Sequence, residues 1–528
     1  MLLTKSLLYT AKNYPEQLAV VDGHHRYTYK ELEGRTAKLK ESLKKFGVKK
    51  GDRVALLLLN DFRYLELIYG ITALGAIAVP LNTRFSLEEN AFVLNDAGVE
   101  VLYVNKEFLP LVDELKKRAS GVQHVILSED RDAPELAGHA TVLSYEAVLD
   151  EESVEALVYD DVQEDDVAGL FYTGGTTGRS KGVMLTHKNL LANALHVALN
   201  FEYQASDIYL HTAPMFHLAD QASTFAVTLT GGTHTVVRQF APKAVLQVIE
   251  KEQVTAVMLV PTMVNMLLHS ADFDHYDTTS LRLILYGASP MSTELLKKTM
   301  TMLPTTRLIQ AYGMTEASPI LTLLNWRDHI LNGTKEEEKR LASCGKPVQF
   351  IEMKVVDEEG NEVPVGHVGE FIARGPNLMK GYWNLPEETS KALRDGWYFT
   401  GDMGYKEADG FYYVVDRAKD MIISGGENVY SVEVEQALST HPAVLECAVF
   451  GAPHEQWGEV VLAAVVLKQD MDASAEEILA FIRPKISNYK LPKSIEFLAE
   501  LPKSGAGKIL KRVIREQHLE ATEKTKAY

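Results

Sequence analysis

Cysteine is nearly absent from this chain: among 528 residues there are two, Cys344 and Cys447, far apart and without metal-ligand spacing. No disulfide framework can be built from them, and free thiols in a reducing cytosol are the simplest account. Positive charge is also scarce. The chain has 54 Lys and Arg against 72 Asp and Glu, a formal charge of −18. That argues against nonspecific nucleic-acid binding and for solubility, and an anionic ligand must then be met by local positive charge. Long apolar runs are missing too. Val54–Leu59 is too short to span a bilayer. The opening MLLTKSLLYTAKNYPEQ has neither a long apolar core nor a small-residue cleavage site, so it does not read as a signal peptide. The expected location is cytoplasmic, with contact at a membrane surface left open. Internal repeats and low-complexity segments are not found.

What is present is the composition of a globular enzyme, 46% hydrophobic and 24% charged, in a chain too long for one ordinary core. Thr28-Tyr-Lys-Glu31 reads as a capping box. Leu32, Thr36, Leu39, Leu43 and Phe46 then recur at helical spacing, and Gly47 closes the helix. Apolar strands at Val54–Leu59, Ala76–Val79, Val101–Val104 and His124–Leu127 alternate with helices near Phe62–Leu74 and Phe108–Lys117. This predicts layered α/β structure with largely parallel strands. Between about Ala133 and Asp166 the pattern weakens and acids accumulate, which reads as a solvated connection. Further strands are expected at Tyr209–Ala213, Val254–Val260, Leu281–Leu285 and Arg307–Gln310, the last two opening into small or polar loops. Open α/β sheets bind ligands at such carboxyl ends. From about Cys344 the texture becomes β-rich, and the last hundred residues read as a compact α+β unit.

The most informative stretch is Tyr172-Thr-Gly-Gly-Thr-Thr-Gly-Arg-Ser-Lys-Gly-Val183. Gly174, Gly175 and Gly178 free the backbone for close approach to a ligand. Thr173, Thr176 and Thr177 supply hydroxyls, and Arg179 and Lys181 supply charge. Successive free N–H groups in such a loop can cradle phosphate. A polar hairpin turn is the plain alternative, disfavoured by so many glycines, threonines and cations together. A P-loop is excluded, because the Gly-Lys pair does not arrive at the required spacing and Gly182–Leu185 looks extended.

This stretch resembles the phosphate-binding signature of the adenylate-forming superfamily, which comprises acyl-CoA synthetases, peptide-synthetase adenylation domains and beetle luciferases. Its closest resemblance is to bacterial-type fatty acyl-CoA ligases, which often carry glycine where Gly174 stands and others carry serine. The resemblance continues in order along most of the chain. It implies that Gly287, Ala288 and Ser289 lie along an adenine, and that Gln310, Ala311, Tyr312, Gly313, Met314 and Thr315 contact ATP or AMP. It implies that Glu316, with Thr173, holds Mg²⁺, and that Asp402 and Arg417 bind the ribose hydroxyls. Lys508, in Pro502-Lys-Ser-Gly-Ala-Gly-Lys508, matches the lysine that bridges carboxylate and α-phosphate. His217 matches the position beside the carboxylate that gates the thiol tunnel, Lys419 the domain hinge, and Ser424, Gly425 and Gly426 the loop of the thiol step. Taken singly, Asp402, Arg417, His217 and Lys508 would read as a turn aspartate, a surface arginine, a core histidine and a solvated lysine. Ile423 stands where some relatives carry lysine and receives no role.

The expectation is therefore a large α/β domain with a β-rich subdomain, residues 1–418, and a small mobile α+β domain, residues 419–528, hinged at Lys419. The implied activity joins a medium- or long-chain fatty acid to CoA through an acyl-adenylate, consuming ATP and releasing AMP and pyrophosphate. Catalysis would rest on Lys508, His217, Thr315 and Glu316, with ATP and CoA as substrates and no nucleic-acid partner; a homodimer is compatible with this. An aryl-acid CoA ligase shares every motif. A stand-alone amino-acid adenylating enzyme and a non-catalytic nucleotide binder are the remaining alternatives. By resemblance the acyl wall includes His217 to about Thr228, the Gly287 loop and the Ala311–Gly313 turn, with Leu218, Ala219, Ala222, Phe225, Ala226 and Val227 supplying apolar groups and Asp220 turned away.

Overall fold

The computed structural model describes residues 1–130, 142–154, 156–159, 161–173, 180–289, 291–417, 420–424, 427–454, 457–469, 471–503 and 509–526. Gly174, Gly175, Thr176, Thr177, Gly178, Arg179, Lys419, Gly425, Gly426 and Lys508 lie outside the described residues.

Four sheets organise the chain. In the eight-stranded sheet, Val167–Thr173, Ile77–Pro80, Arg53–Leu57, Val101–Val104, His124–Leu127 and Val142–Ser144 run parallel in that spatial order. Lys181–Thr186 returns antiparallel beside Val167–Thr173, pairing Thr173 with Lys181, so the glycine-rich stretch joins the two strands of a hairpin. In the nine-stranded sheet, Arg307–Gly313, Leu283–Gly287, Ala256–Leu259, Ile208–His211, Thr233–Val236 and Leu18–Asp22 form the parallel middle. The hairpin partner His25–Thr28 is one edge, and Ile320–Leu324 and Lys346–Pro347 lie antiparallel at the other. Buried runs such as the four residues of Ala256–Leu259 are apolar throughout because helices cover both faces.

A third sheet, antiparallel, is the β-rich region: Glu352–Val356, Gly369–Arg374, Trp397–Lys406 and Tyr412–Arg417. The fourth, built on the long hairpin Val444–His454 and Gly458–Leu467, makes the smaller C-terminal unit with helices Ser431–Ser439, Ala475–Ile482 and Lys511–Lys526. No helix among the described residues is long and apolar enough to cross a membrane.

Local rules account for many of the boundaries. The helix Tyr29–Lys45 starts at the expected box: Glu31 N–H donates to Thr28 Oγ1 at 3.3 Å, and Thr28 N–H to Glu31 Oε2 at 2.7 Å. Leu32, Thr36, Leu39 and Leu43 are buried, and Gly47 follows the helix at φ +84°. Pro261 opens its helix at the first position, where its missing N–H costs nothing.

Two regions differ from the sequence reading. The first residues form a helix, Thr4–Asn13, followed by the hairpin Leu18–Asp22 and His25–Thr28. That hairpin joins the far sheet through Val20 opposite His234, a pairing that no local pattern reveals. The stretch read as a solvated connection contains the strand Val142–Ser144 and the helix Tyr145–Asp150. Its Glu146 accepts from Arg35 Nη1 at 3.0 Å and Arg63 Nη2 at 2.8 Å, and Tyr145 donates to Glu66 Oε2 at 2.6 Å. Glu66 is fully buried and pairs with Arg35 at 2.5 Å. Glu146 is thus a packed ion-pair partner, while Asp150, Glu151, Asp161 and Asp165 are exposed, as a solvated connection requires.

This contrast sets an expected ranking in urea unfolding. Glu66→Ala leaves Arg35 short of its buried partner and should cost about 3–5 kcal/mol. Thr28→Ala removes one helix cap and should cost about 1 kcal/mol. Equal losses would show that the Glu66 pair carries no more than a surface contact.

Candidate functional site

The carboxyl ends of the parallel strands Leu283–Gly287 and Arg307–Gly313 open into a cavity of about 490 Å³. Its wall brings together Thr173 and Lys181 from the hairpin, His217, Leu218, Ala219 and Ala222 from a helix start, and Gly287 and Ala288. Ala311 through Glu316 continue it, and Tyr382, Thr400, Gly401 and Arg417 close the β-rich side. Residues more than two hundred positions apart thus meet at one place. Ser289, Gln310 and Asp402 are not in the wall. Ser424 lies in the fourth sheet, where it pairs with Gly458.

Backbone proximity shapes the floor. A Cβ on Gly287 would sit 2.4 Å from the carbonyl oxygen of Ala311. One on Gly313 would sit 1.9 Å from that of Pro319. Ala288, just after the strand end, has φ +64°, a conformation costly for a residue with a side chain.

Glu316 accepts from the Tyr382 hydroxyl at 2.8 Å through Oε1. Burial raises its pKa above the usual glutamate value, and the charge of Asp402 adds to this, while Tyr382 and Arg417 counteract it. A carboxylate so placed, with Oε2 not taken by Tyr382 and the Thr173 hydroxyl on the same wall, suits a hard cation. Mg²⁺ takes one or two such oxygens and completes its shell with water and phosphate.

Asp402 and Arg417 face each other across paired strands, with Nε to Oδ1 at 3.2 Å. The Tyr312 hydroxyl also donates to Asp402, at 2.8 Å. Only Arg417 and Tyr312 of this trio reach the cavity wall, so Asp402 orients groups that do. Lys181 is paired with Glu388 and lies 5.2 Å from the ring centre of Tyr382. Glu388, also held by Lys391 at 2.8 Å, is pulled down to about 2 by these two lysines. A phosphate would have to draw Lys181 away from this partner.

His217 is half-buried at the start of the helix Leu218–Thr230, its ring 4.3 Å from that of Phe216. Burial lowers its pKa to about 4, so it is neutral at physiological pH, and its Nε2 has no partner among the described residues. The expectation for Asp220 holds. Its carboxylate turns from the cavity to accept from Tyr209 at 3.1 Å and to pair with His211 Nδ1 at 2.5 Å. His211 Nε2 meets His234 Nδ1 at 3.0 Å, and His234 Nε2 meets Thr228 Oγ1 at 3.1 Å. This chain of polar groups ties the back of the helix to two strands.

The rest of the expected acyl wall needs correction. Phe225, Ala226 and Val227 pack into the core, Phe225 edge-on to Tyr69 at 6.2 Å. The helix turns those positions away after Ala222. In their place come Met258, Leu285, Tyr286, Pro319 and Ile320, from strand ends and a turn that sequence reasoning did not single out. Tyr286 is held by its hydroxyl, which lies 2.9 Å from His329 Nε2, while His329 Nδ1 lies 2.9 Å from the Asn325 carbonyl oxygen. His329 therefore carries its proton on Nδ1 and accepts from Tyr286.

A cavity at strand ends, with a carboxylate beside a tyrosine and a neutral histidine at an apolar mouth, suits an enzyme that uses a nucleotide to activate an acid. The chain belongs to the AMP-binding enzyme family of the adenylate-forming superfamily: residues 7–383 match the AMP-binding enzyme family and residues 433–508 its C-terminal domain. It is 38% identical over 506 residues to a feruloyl-CoA synthase of Amycolatopsis sp., covering 96% of each chain. It is 36% identical over 503 residues to a medium/long-chain-fatty-acid–CoA ligase of Mycobacterium tuberculosis, covering 93% of this chain and 86% of that one. Among solved structures it resembles an anthranilate CoA ligase in complex with anthranoyl-AMP, with a TM-score of 0.88 and 28% identity over 98% and 97% of the two chains.

Burial also lowers His187, His196 and His329 to about 4, as it does His217. In the unfolded chain such rings take up protons near 6.5. Their contribution to stability is therefore whole above pH 6.5 and is lost as pH falls toward 4. The urea midpoint should drop between pH 7.5 and pH 5, and His329→Gln should reduce the drop. A midpoint that does not change over this range would contradict neutral buried rings.

Proposed function

We propose that the protein is an AMP-forming acid–CoA ligase acting on an apolar monocarboxylic acid of medium chain length. The carboxylate attacks the α-phosphorus of ATP, giving an acyl-adenylate and pyrophosphate. The thiol of CoA then attacks the acyl carbon, and AMP leaves. The observation that carries the acid class is the wall beyond His217, which is uncharged and formed by Leu218, Ala219, Ala222, Met258, Leu285 and Ile320. The only carboxylate on this part of the helix, Asp220, is already paired with His211, so the helix offers an α-amino group no free partner. From His217 to Ala222 the helix rises only about 7–8 Å. A wall of this length along the helix is the basis for reading a medium chain rather than a long one. A single aromatic ring on a short arm also fits, and this second reading is supported by the similarity to feruloyl-CoA synthases.

In this reading Thr173 and Glu316 hold Mg²⁺, which when bound would offset the negative charge of the phosphates. Tyr382 orients the Glu316 carboxylate, and Arg417, fixed by Asp402, faces the ribose. His217, neutral, borders the carboxylate without adding charge. Lys508 is assigned to the joining of carboxylate and α-phosphate, where an ammonium offsets charge on both oxygens. Lys419 is assigned to the hinge between the two domains, and Ser424, Gly425 and Gly426 to the thiol step.

A panel of fatty and aryl acids assayed for pyrophosphate release and CoA-dependent AMP release tests the reading. kcat/KM should rise with chain length by up to about 0.8 kcal/mol per methylene, then level off at medium length. Ala222→Phe should shift the optimum to shorter acids and leave the KM for ATP unchanged. Clear preference for cinnamate-like acids would replace the fatty reading by the aryl one, and no pyrophosphate with any acid would remove both. Lys508→Ala should suppress adenylation by orders of magnitude while thioester formation from supplied acyl-adenylate is much less affected. Equal loss in both steps would deny Lys508 its assigned role.

A further inference from the structure

The turn between Leu18–Asp22 and His25–Thr28 carries two adjacent histidines, and both direct Nε2 at one carboxylate. His25 Nε2 lies 2.9 Å from Asp130 Oδ1, and His24 Nε2 lies 3.5 Å from Asp130 Oδ2. The ligand-capable atoms of the three residues all lie within 4.8 Å of one another. Their outer partners are arranged as around a metal. The second ring nitrogen of His25 is 3.3 Å from the Tyr27 hydroxyl, and Arg63 Nη2 donates to Asp130 Oδ1 at 2.7 Å. Metal-binding histidines pass their other N–H to an oxygen, and ligating carboxylates are themselves hydrogen-bonded. With Nδ1–H given to Tyr27, His25 would present its Nε2 lone pair to an ion.

The surrounding charge points the same way. Arg35, Arg63 and Arg238 are shared among six carboxylates: Asp61, Glu66, Glu107, Glu129, Asp130 and Glu146. This excess of negative charge attracts a cation to the edge of the network, where His24 is 79% exposed and Asp130 49%. None of the three residues is in the wall of the nucleotide cavity.

We propose that His24, His25 and Asp130 form a site for a divalent transition-metal ion of the Zn²⁺ type. Two imidazoles, one carboxylate and solvent make a four-coordinate set for such an ion. Mg²⁺, which prefers oxygen ligands throughout, does not suit it. The ion ties the edge hairpin of the nine-stranded sheet to the segment that follows His124–Leu127 in the eight-stranded sheet. It therefore acts as a clamp between the two sheets.

Isothermal titration of the intact protein with Zn²⁺, in buffer containing Mg²⁺, tests this together with thermal melting. The wild type should take up one equivalent with micromolar or tighter affinity and melt at a higher temperature with Zn²⁺ than without, because the ion binds the folded state alone. His24→Ala, at an exposed position that does not threaten folding, and Asp130→Asn should each weaken uptake ~10-fold or more and abolish the rise in melting temperature. His367→Ala, at an exposed position elsewhere, should change neither. Absence of stoichiometric uptake by the wild type would overturn the proposal. So would equal binding and an equal rise in melting temperature in His24→Ala/His25→Ala.

Discussion

The cavity depends on how closely two strands run at their carboxyl ends. Gly287 and Ala311 are register partners, and a Cβ on Gly287 would fall 2.4 Å from the Ala311 carbonyl oxygen. Gly313 is held as tightly against Pro319. With no side chain between them, the main chains of neighbouring strands form the floor, and whatever binds there rests on backbone. The same closeness brings Tyr312, Thr315 and Glu316 to the rim, and through Tyr312 it engages Asp402 and Arg417 of the β-rich sheet. One steric constraint thus sets the distance between the large sheet and the elements that close over it.

Charge in and around this cavity is managed by pairing, in a chain whose formal charge is −18. Asp402 is bound by Arg417 and Tyr312, Asp220 by His211 and Tyr209, and Glu388 by Lys181 and Lys391. His217 stays neutral because burial makes its charged form costly. Glu316 accepts from a tyrosine, and burial raises its pKa above the usual glutamate value. In the proposed reading this carboxylate is the one assigned to the metal–nucleotide pair.

The motifs were legible because each is short and its chemistry is local. Thr173 with Lys181 could be read as a ligand-bearing loop from residue type and spacing, whereas Thr315 with Glu316 and Tyr398 through Asp402 stood out only through the family resemblance; most of them reach one cavity. The acyl wall was less legible. Helical periodicity shows which residues of Leu218–Thr230 share a face, but not where along the helix that face leaves the cavity and enters the core. Phe225 is as apolar as Leu218, and only its packing on Tyr69 separates their roles. Met258 and Ile320 gave no signal, being apolar residues at strand ends like many others.

By itself the sequence determined the alternation of strands and helices, several of the caps that start them, and a glycine- and threonine-rich loop of the kind that suits phosphate. These depend on interactions between residues a few positions apart, which periodicity and spacing record. Only the tertiary structure decided that Leu18–Asp22 pairs with Thr233–Val236, that Glu146 is a half-buried partner of Arg35 and Arg63, and that His24 and His25 face Asp130. Those contacts join residues about a hundred or more positions apart. Their free energy comes from burying apolar surface between whole layers and from pairing the charges caught there, and no local stretch of the chain carries the record of its distant partner.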